Sequence, residues 1–443
     1  MLAKKPTREN MSLYLFIALL TFFSACGLLS SDEHGGLLQV TPISAVEVAL
    51  DIQAPKGADI TIERDGQPRF SFRLNRTDTL LYETGLQPVT SYQWKATSSF
   101  GRGVTAERQA TTLDTTSSNF TWQTFSFGEH SSSVLYGVSI IDENNIWAVG
   151  EIHMNDSTGQ ADSDIYNAVH WDGEGWTLKR IPYFYQGKSF YNPIQTIYSF
   201  NENSILFAGN GLIYWNNSEY LPIEISQIMW GPNQINKIWG LSANSFYIAG
   251  NNGSIAYYNG QDWQKIETNT ELDFYDIHGN PEQRVVAVAA KQSQNSDKEI
   301  LRIKSNLETK SLPTKPIPFS ISGTWFDQSG VTYMVGSRIS LKSNINSTVP
   351  WKILDKEHIG HPYLFAIDAN GLNDMVTAGG YGELFHYNGL EWIKHNQEII
   401  GNLYDIAIKE NVAMAVGLDG RKAFITIGKR ESYPMKEGKS NDR

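Results

Sequence analysis

The sequence predicts an all-β fold: a small β-sandwich, then a seven-bladed β-propeller closed by a strand from the propeller's own N-terminal end. Three observations predict it. The first is a repeated hairpin. "AVHWDGEGWTLKRI" (168–181), "IAYYNGQDWQKI" (255–266) and "LFHYNGLEWIKH" (384–395) share an apolar-x-aromatic run, Asp-Gly or Asn-Gly, two residues and a tryptophan. Asp-Gly and Asn-Gly supply the positive φ angles that tight hairpins require. The second is a run of small or β-branched residues ending in glycine. "WAVG", "LFAG", "YIAG", "YMVG", "VTAG" and "MAVG" end at Gly150, Gly209, Gly250, Gly336, Gly379 and Gly417, and a degenerate "VAVA" ends at Ala289, with spacings of 38 to 59 residues. An alternating strand such as "LYGVSI", "FYDIHG" or "LYDIAI" precedes them. Each unit therefore holds four short strands in roughly 40–45 residues, the period of a propeller blade.

The third observation concerns closure. The seventh unit, "LYDIAIKENVAMAVGLDGRKAFITIGKR", stops without its tryptophan strand, whereas "NFTWQTFSF" (119–127) carries Trp122 with no three strands ahead of it. Pairing the two closes the circle and satisfies edge groups that an open array would expose. The fourth-strand tryptophans Trp122, Trp176, Trp263, Trp351 and Trp392 are expected to pack between neighbouring blades as core.

Composition agrees with this reading. The 443 residues exceed one ordinary core, 12% are aromatic and only 19% are charged, as suits a turn-rich all-β chain. A net charge of −11 with scattered Lys and Arg argues against nucleic acid as a partner, because phosphate binding needs clustered cations. The single cysteine excludes an intramolecular disulfide and a CxxC site.

Residues 38–115 alternate apolar and polar in short runs such as "VEVALDI" and "DITIERDG". Within them "GLQPVTSYQWKATSSFGRG" (85–103) resembles the second half of a fibronectin type III domain, with Leu86 and Pro88 before a tyrosine-corner Tyr92. That resemblance implies a Tyr92 hydroxyl bonded back to the backbone, and Trp94 on the same side of the strand. "TTLDTTSSN" (111–119) is expected to be the linker out of this domain.

At the N-terminus, Lys4, Lys5 and Arg8 precede the apolar run "LYLFIALLTFF" (13–23), followed by "FSAC". This resembles the lipobox of bacterial lipoproteins and implies removal of residues 1–25 and acylation of Cys26. Gly27 after the cysteine implies the outer membrane, and the acidic "SSDE" (30–33) resembles the surface-export signal of lipoproteins from Bacteroidetes-like bacteria. The expected order is a signal peptide (1–25), an acidic tether (26–37), the fibronectin type III-like domain (38–115), the propeller (118–430) and a disordered tail (431–443). "TTLDTTSSNFTW" and "IDENNIWAVGE" carry a resemblance to an uncharacterised group of bacterial lipoproteins with this architecture. That resemblance implies no activity; a monomer anchored to the membrane by lipid and exposed at the cell surface is expected.

Function is less legible. The insertion 151–165 and the following loop "YFYQGKSFYNP" (183–193) are expected to meet on one rim, where Tyr183, Phe184, Tyr185, Phe190 and Tyr191 offer a surface for a glycan or protein partner. Asp276 and Asp405 each follow a tyrosine in matching inner strands, and are expected as polar channel residues on opposite sides of the ring. Asp156, Asp162 and Asp164 in "NDSTGQADSD" are oxygen donors of the type that holds calcium, without EF-hand spacing. No cofactor is otherwise implied. "KRIP" (179–182) resembles a fragment of the sialidase Arg-Ile-Pro motif, but Arg180 lies at the end of a fourth strand. His358 and His361 in "HIGHP" lack a third ligand. No catalytic constellation can be assigned, so a binding or scaffolding propeller is expected. The alternatives are a glycosidase or lyase-type glycan-cleaving enzyme and a structural part of a surface or secretion complex.

Overall fold

The computed structural model describes residues 36–430 except 101–102, 131, 283, 292–296, 355–358, 360–362 and 397–399. The signal peptide, Cys26, the tether up to residue 35, the tail 431–443, His358 and His361 lie outside the described residues. Among the described residues no helix is long and apolar enough to cross a membrane.

Between Phe120 and Arg430 the chain forms seven four-stranded antiparallel sheets among the described residues. Six are simple meanders, such as Ile235–Ser242, Ser245–Gly250, Ile255–Tyr258 and Trp263–Ile266. In the remaining sheet, Asn402–Lys409, Val412–Asp419 and Lys422–Arg430 take Phe120–Phe127 as their fourth strand. That ladder runs from Ala423 opposite Phe127 to Arg430 opposite Phe120, so the strand carrying Trp122 pairs where the sequence predicts. First strands lie against one another in succession, and Asn402–Lys409 lies against Val134–Asp142. The arrangement is that of a β-propeller.

Local chemistry explains the repeated signatures. Second strands such as Ser204–Gly209 and Val285–Ala290 are buried at every position, because both faces of these sheets are covered. A Cβ at Gly150, Gly250, Gly336, Gly379 or Gly417 would collide with the carbonyl oxygen of Val134, Gln234, Ser320, Tyr363 or Asn402. Each of these contacts falls at a break in strand register, so these five glycines mark a close backbone approach at a bulge. In the Asp-Gly and Asn-Gly turns only the glycine has positive φ: 96° at Gly173, 93° at Gly260 and 90° at Gly389. The preceding residue acts through its side chain instead; Asn259 Oδ1 accepts from Gln261 N at 3.0 Å and Asp262 N at 2.8 Å.

The tryptophans divide. Trp351 and Trp392 are buried, whereas Trp122, Trp176 and Trp263 are half-buried. Trp176 still lies between sheets, edge-on to Phe125 at 5.9 Å and Phe127 at 6.2 Å.

Among the described residues the chain divides into two compact units: 36–39, 52–77 and 94–108 in one, and 40–51, 78–93 and 109–430 in the other. In the smaller unit Asp59–Arg64 pairs with Gln67–Arg73 and with residues 94–98, and Ile60, Ile62, Trp94 and Ala96 are buried. Compactness therefore does not divide the chain at 115–118. Within the larger unit Ile43 and Ala49 are buried in one cluster with Trp325, Tyr333, Ile339 and Trp392. Asp78 Oδ2 accepts from Ser347 Oγ at 2.8 Å and Thr348 N at 2.9 Å, and Glu47 pairs with Lys352. Gln87 N donates to the Tyr92 hydroxyl at 3.0 Å, the backbone bond that the tyrosine corner implies. The segment 111–119, expected as a linker, is a fixed strap. Thr116 N donates to Asn388 O at 3.0 Å and Thr116 Oγ1 to Asn373 O at 2.7 Å, because its hydroxyls satisfy carbonyls of the sheet turns.

Candidate functional site

In an antiparallel meander, turns from first to second and third to fourth strands emerge at one end. Turns from second to third strands, and connections between sheets, emerge at the other. The insertion 151–165 and the segment 183–193 share that second end, and Arg180 ties them together. Its Nη2 donates to Asp162 Oδ2 at 2.5 Å and to Asp164 O at 2.7 Å. Its guanidinium lies 4.1 Å from the Tyr166 ring centre and 5.8 Å from that of Tyr191. Buried Asn167 clamps the base of the segment, its Nδ2 donating to Ile181 O and Asn192 O at 2.9 Å each and its Oδ1 accepting from Ile181 N at 2.7 Å.

Segment 183–193 is not an open loop. Tyr183–Tyr185 and Lys188–Phe190 pair as a hairpin across Gln186 and Gly187, whose φ values of 49° and 74° are those of a tight primed turn. Its register separates the aromatic residues. Tyr183 stands opposite Phe190 and Phe184 opposite Ser189, so Phe184 and Phe190 occupy opposite faces. Both are 43% exposed. Tyr183, expected on the rim surface, is instead 7% exposed and packs with Trp147, Ile194, Phe207 and Ile213. Burial pushes its phenol well above the usual range, and its hydroxyl finds no hydrogen-bond partner. Tyr191 is half-buried. The aromatic cluster thus resolves into a pillar, Tyr183, and a finger carrying a phenylalanine on each side.

The channel brings together what the sequence places apart. Lys237 reaches from the Ile235–Ser242 strand to Asp405 Oδ1 at 2.9 Å, although the two stand in sheets that are not neighbours. Burial alone would lower the ammonium pKa, but Asp405, Asp276 and Asp368 hold it above the usual lysine value. The carboxylates also tie strand to strand. Asp405 Oδ2 accepts from Val138 N at 3.1 Å, Asp276 Oδ2 from Thr324 N at 2.8 Å, and Asp368 Oδ2 from Ile408 N at 2.8 Å. Burial raises Asp276 to about 6 against the pull of Lys237, and raises Asp368 to about 7 against the amide bonds it accepts. These acids therefore staple adjacent inner strands around one cation.

The acidic insertion is committed in the same way. Asp156 Oδ1 accepts from Thr158 N, Thr158 Oγ1 and Gln160 N, while Asp162 is engaged by Arg180 and Asp164 N. Among the described residues no group of three His, Cys, Asp or Glu side chains is placed to hold a metal ion. Calcium at Asp156, Asp162 and Asp164 is thus not supported, since Oδ1 of Asp156 and of Asp162 caps a local turn.

A Ser-His-Asp chain that the sequence does not signal lies at the ring's closing junction. Ser118 Oγ is 2.7 Å from His386 Nδ1, and His386 Nε2 is 2.7 Å from Asp374 Oδ1. Arg430 donates to both Asp374 oxygens at 2.8 and 2.7 Å. Burial would raise the Asp374 pKa, but His386, Arg430 and Asn370 hold it below the usual carboxylate value. His386 is fully buried, so the chain works as a clasp rather than as a nucleophile's relay.

No protein-family model matches the chain, and no curated protein matches it. Solved structures share its fold. YCF48 bound to D1 peptide is 15% identical over 70% of this chain and 97% of its own, with a TM-score of 0.53. YCF48 from Cyanidioschyzon merolae is 14% identical over 70% of this chain and 98% of its own, with a TM-score of 0.51. A streptogramin B lyase structure is 12% identical over 69% of this chain and 97% of its own, at a TM-score of 0.48. At such identities the likeness is one of fold.

Lys237, Asp368 and Asn167 escaped sequence reasoning because a single polar residue within a strand has no local pattern. The repeat alignment held the only signal. Lys237 and Asp276 occupy the same position relative to the strand bulge as Asp405.

Proposed function

We propose that the chain is a binding propeller of seven blades, preceded by a fibronectin type III-like domain. It is held as a monomer at the outer membrane by acylated Cys26 and faces the outside of the cell. Its partner is a glycan or a protein, engaged by the finger 183–190. One observation carries this reading: Phe184 and Phe190 stand 43% exposed on a hairpin whose base is fixed by buried Tyr183 and Asn167. A rigid aromatic finger loses little conformational freedom on binding, which is where aromatic anchors gain their affinity. The glycan-cleaving alternative is disfavoured because Asp276 and Asp405 are already engaged by backbone amides and Lys237. YCF48, of like fold, is described as bound to a peptide, which accords with the protein-partner form of this proposal.

The test is a binding screen of the chain against polysaccharides and its own membrane extract. Phe184→Ser combined with Phe190→Ser is expected to weaken capture by at least roughly thirtyfold while folding is kept. Unchanged capture would remove the finger from the site. Release of sugar products by the wild-type chain would establish the enzyme instead. Cys26→Ser should abolish acyl incorporation, and protease shaving of intact cells should degrade the chain if it faces outward.

A further inference from the structure

The first strands Leu364–Gly371, Asn402–Lys409 and Val134–Asp142 lie side by side around the ring. Each begins at the finger end with a bulge that skips one residue of the ladder: Phe365, Tyr404 and Tyr136. A bulge re-aims the side chain it skips, and here all three are aromatic. Ring centres lie 5.7 Å apart from Phe365 to Tyr404 and 6.1 Å from Tyr404 to Tyr136, and Tyr363 extends the row at 5.2 Å from Phe365. All four rings are half-buried, so the arc keeps accessible surface at the mouth of the channel.

Tyr381 adds a fifth ring at a cost. It sits in a second-to-third strand turn at the same end, between Gly380 and Gly382, with φ 58° and ψ 33°. That left-handed conformation suits glycine and is unfavourable for a bulky side chain. The turn is fixed beside the arc: Gly380 N donates to Tyr363 O at 2.9 Å, Gly382 N to Gly401 O at 2.6 Å and Tyr381 N to Asn402 Oδ1 at 3.4 Å. Yet Tyr381 is 82% exposed and adds nothing to the core. Strain held without a gain in packing points to a role on the surface.

The geometry selects the ligand. The four rings of the arc are tilted 35° to 82° from their neighbours, so they form a curved wall rather than one flat platform for a sugar ring. Aromatic faces attract cations, and elsewhere in the chain Arg180 covers Tyr166, Lys352 covers Tyr82 and Arg430 covers Phe120. Among the described residues no Lys or Arg stands over any of the five rings at the mouth. Tyr136 donates to Glu151 Oε1 at 3.3 Å, which sets a carboxylate at one end of the arc, with His153 Nε2 3.9 Å from its other oxygen. Within the channel Asp276, Asp368 and Asp405 outnumber Lys237, whose ammonium is held by Asp405. Other cations at this end are paired or solvated: Lys394 meets Glu383 at 2.8 Å, and Arg421 is exposed.

We propose that this aromatic mouth is a second binding site, separate from the finger, for a basic segment of a protein partner, with an arginine or lysine side chain lodged against the rings. It deepens the binding reading above, on which it rests, by naming the partner's chemistry.

The test is an anisotropy titration of the full chain with a labelled peptide of alternating arginine and glycine, against the same peptide carrying citrulline, the neutral isostere. Saturable binding of the arginine peptide, at least about tenfold tighter, is expected. Tyr381→Gly should weaken it about threefold to tenfold without lowering the unfolding midpoint, because the strain leaves with the ring. Phe365→Leu with Tyr404→Leu keeps apolar bulk, removes two aromatic faces and should weaken it about tenfold. Thermal unfolding checks that both variants fold; if the double variant does not, Tyr381→Gly decides. Phe184→Ser with Phe190→Ser should leave this binding unchanged. No saturable binding by the wild-type chain, equal binding of the citrulline peptide, or unchanged affinity in the folded mouth variants would each overturn the proposal. Saturable binding of a neutral polysaccharide that the mouth variants lose would overturn it in favour of a glycan. Any of these results, with membrane-extract capture still lost in the finger variant, would leave the finger reading intact.

Discussion

Two groups of buried charge sit in this propeller, and they are balanced differently. At the closing junction one carboxylate, Asp374, is met by Arg430 through two bonds and by His386 through a third. In the channel a single lysine, Lys237, faces Asp276, Asp368 and Asp405. The first group holds its acid below the usual range, whereas the second lets burial push Asp276 to about 6 and Asp368 to about 7. A buried aspartate therefore stays below the usual carboxylate range in one place, while Asp276 and Asp368 are pushed above it in the other. The ratio of cations to acids decides which.

The largest expected effect separates the two directly. Arg430→Met strands Asp374 in the core and should cost about 3–5 kcal/mol of unfolding free energy by denaturant titration at pH 7. Lys237→Met removes the channel's cation. Because Lys237 is 29% exposed, the expected loss is smaller, about 1–3 kcal/mol. That loss should shrink below pH 6 as Asp276 and Asp368 take up protons, whereas the Arg430→Met loss should persist down to about pH 4. A pH-independent Lys237→Met loss would break the comparison.

Asp368→Asn sharpens it with the opposite sign. A raised acid binds its proton more tightly folded than unfolded, so its contribution to stability declines as pH rises from the unfolded value near 4 towards about 7. The asparagine variant should match the wild type near pH 4 and exceed it by about 1 kcal/mol above pH 7, allowing for partial solvation. His278, lowered to about 4, contributes the reverse slope below its unfolded value, so the variant difference is the proper measure. Tyr183→Phe deletes a buried hydroxyl without a partner and should raise stability by up to about 1 kcal/mol in thermal unfolding. As the surface reference, Lys304→Ala breaks an exposed pair with Glu308 at 3.2 Å and should change stability by less than about 0.5 kcal/mol.

Periodic features were legible in the sequence, and single-residue features were not. Gly150, Gly250, Gly336, Gly379 and Gly417 reflect one collision that recurs at five bulges, so repetition exposed them. The partner of Lys422–Arg430 was legible because an unpaired edge and a surplus strand imply each other. The hairpin at 183–190 was hidden because Gln186-Gly187 is a rare turn pair, and reading the segment as an open loop merged two faces into one patch. The strap was hidden because its hydroxyls act on carbonyls more than 250 residues away, as Thr116 does on Asn373. The buried Nδ2 of Asn280, which has no hydrogen-bond partner, has no sequence signature at all.

The antiparallel pairing of Phe120–Phe127 with Lys422–Arg430 also sets how the ring responds to tension. Arg430 stands opposite Phe120, so a pull applied at the strap and at the end of the last strand enters the ladder at the same rung. The load would peel one rung after another, a weak geometry compared with sliding all of them at once. The hydrogen bonds of Thr116 and the Asp374–Arg430 pair lie ahead of that first rung. They form the mechanical lock of the molecule, and force must break them before unzipping can start.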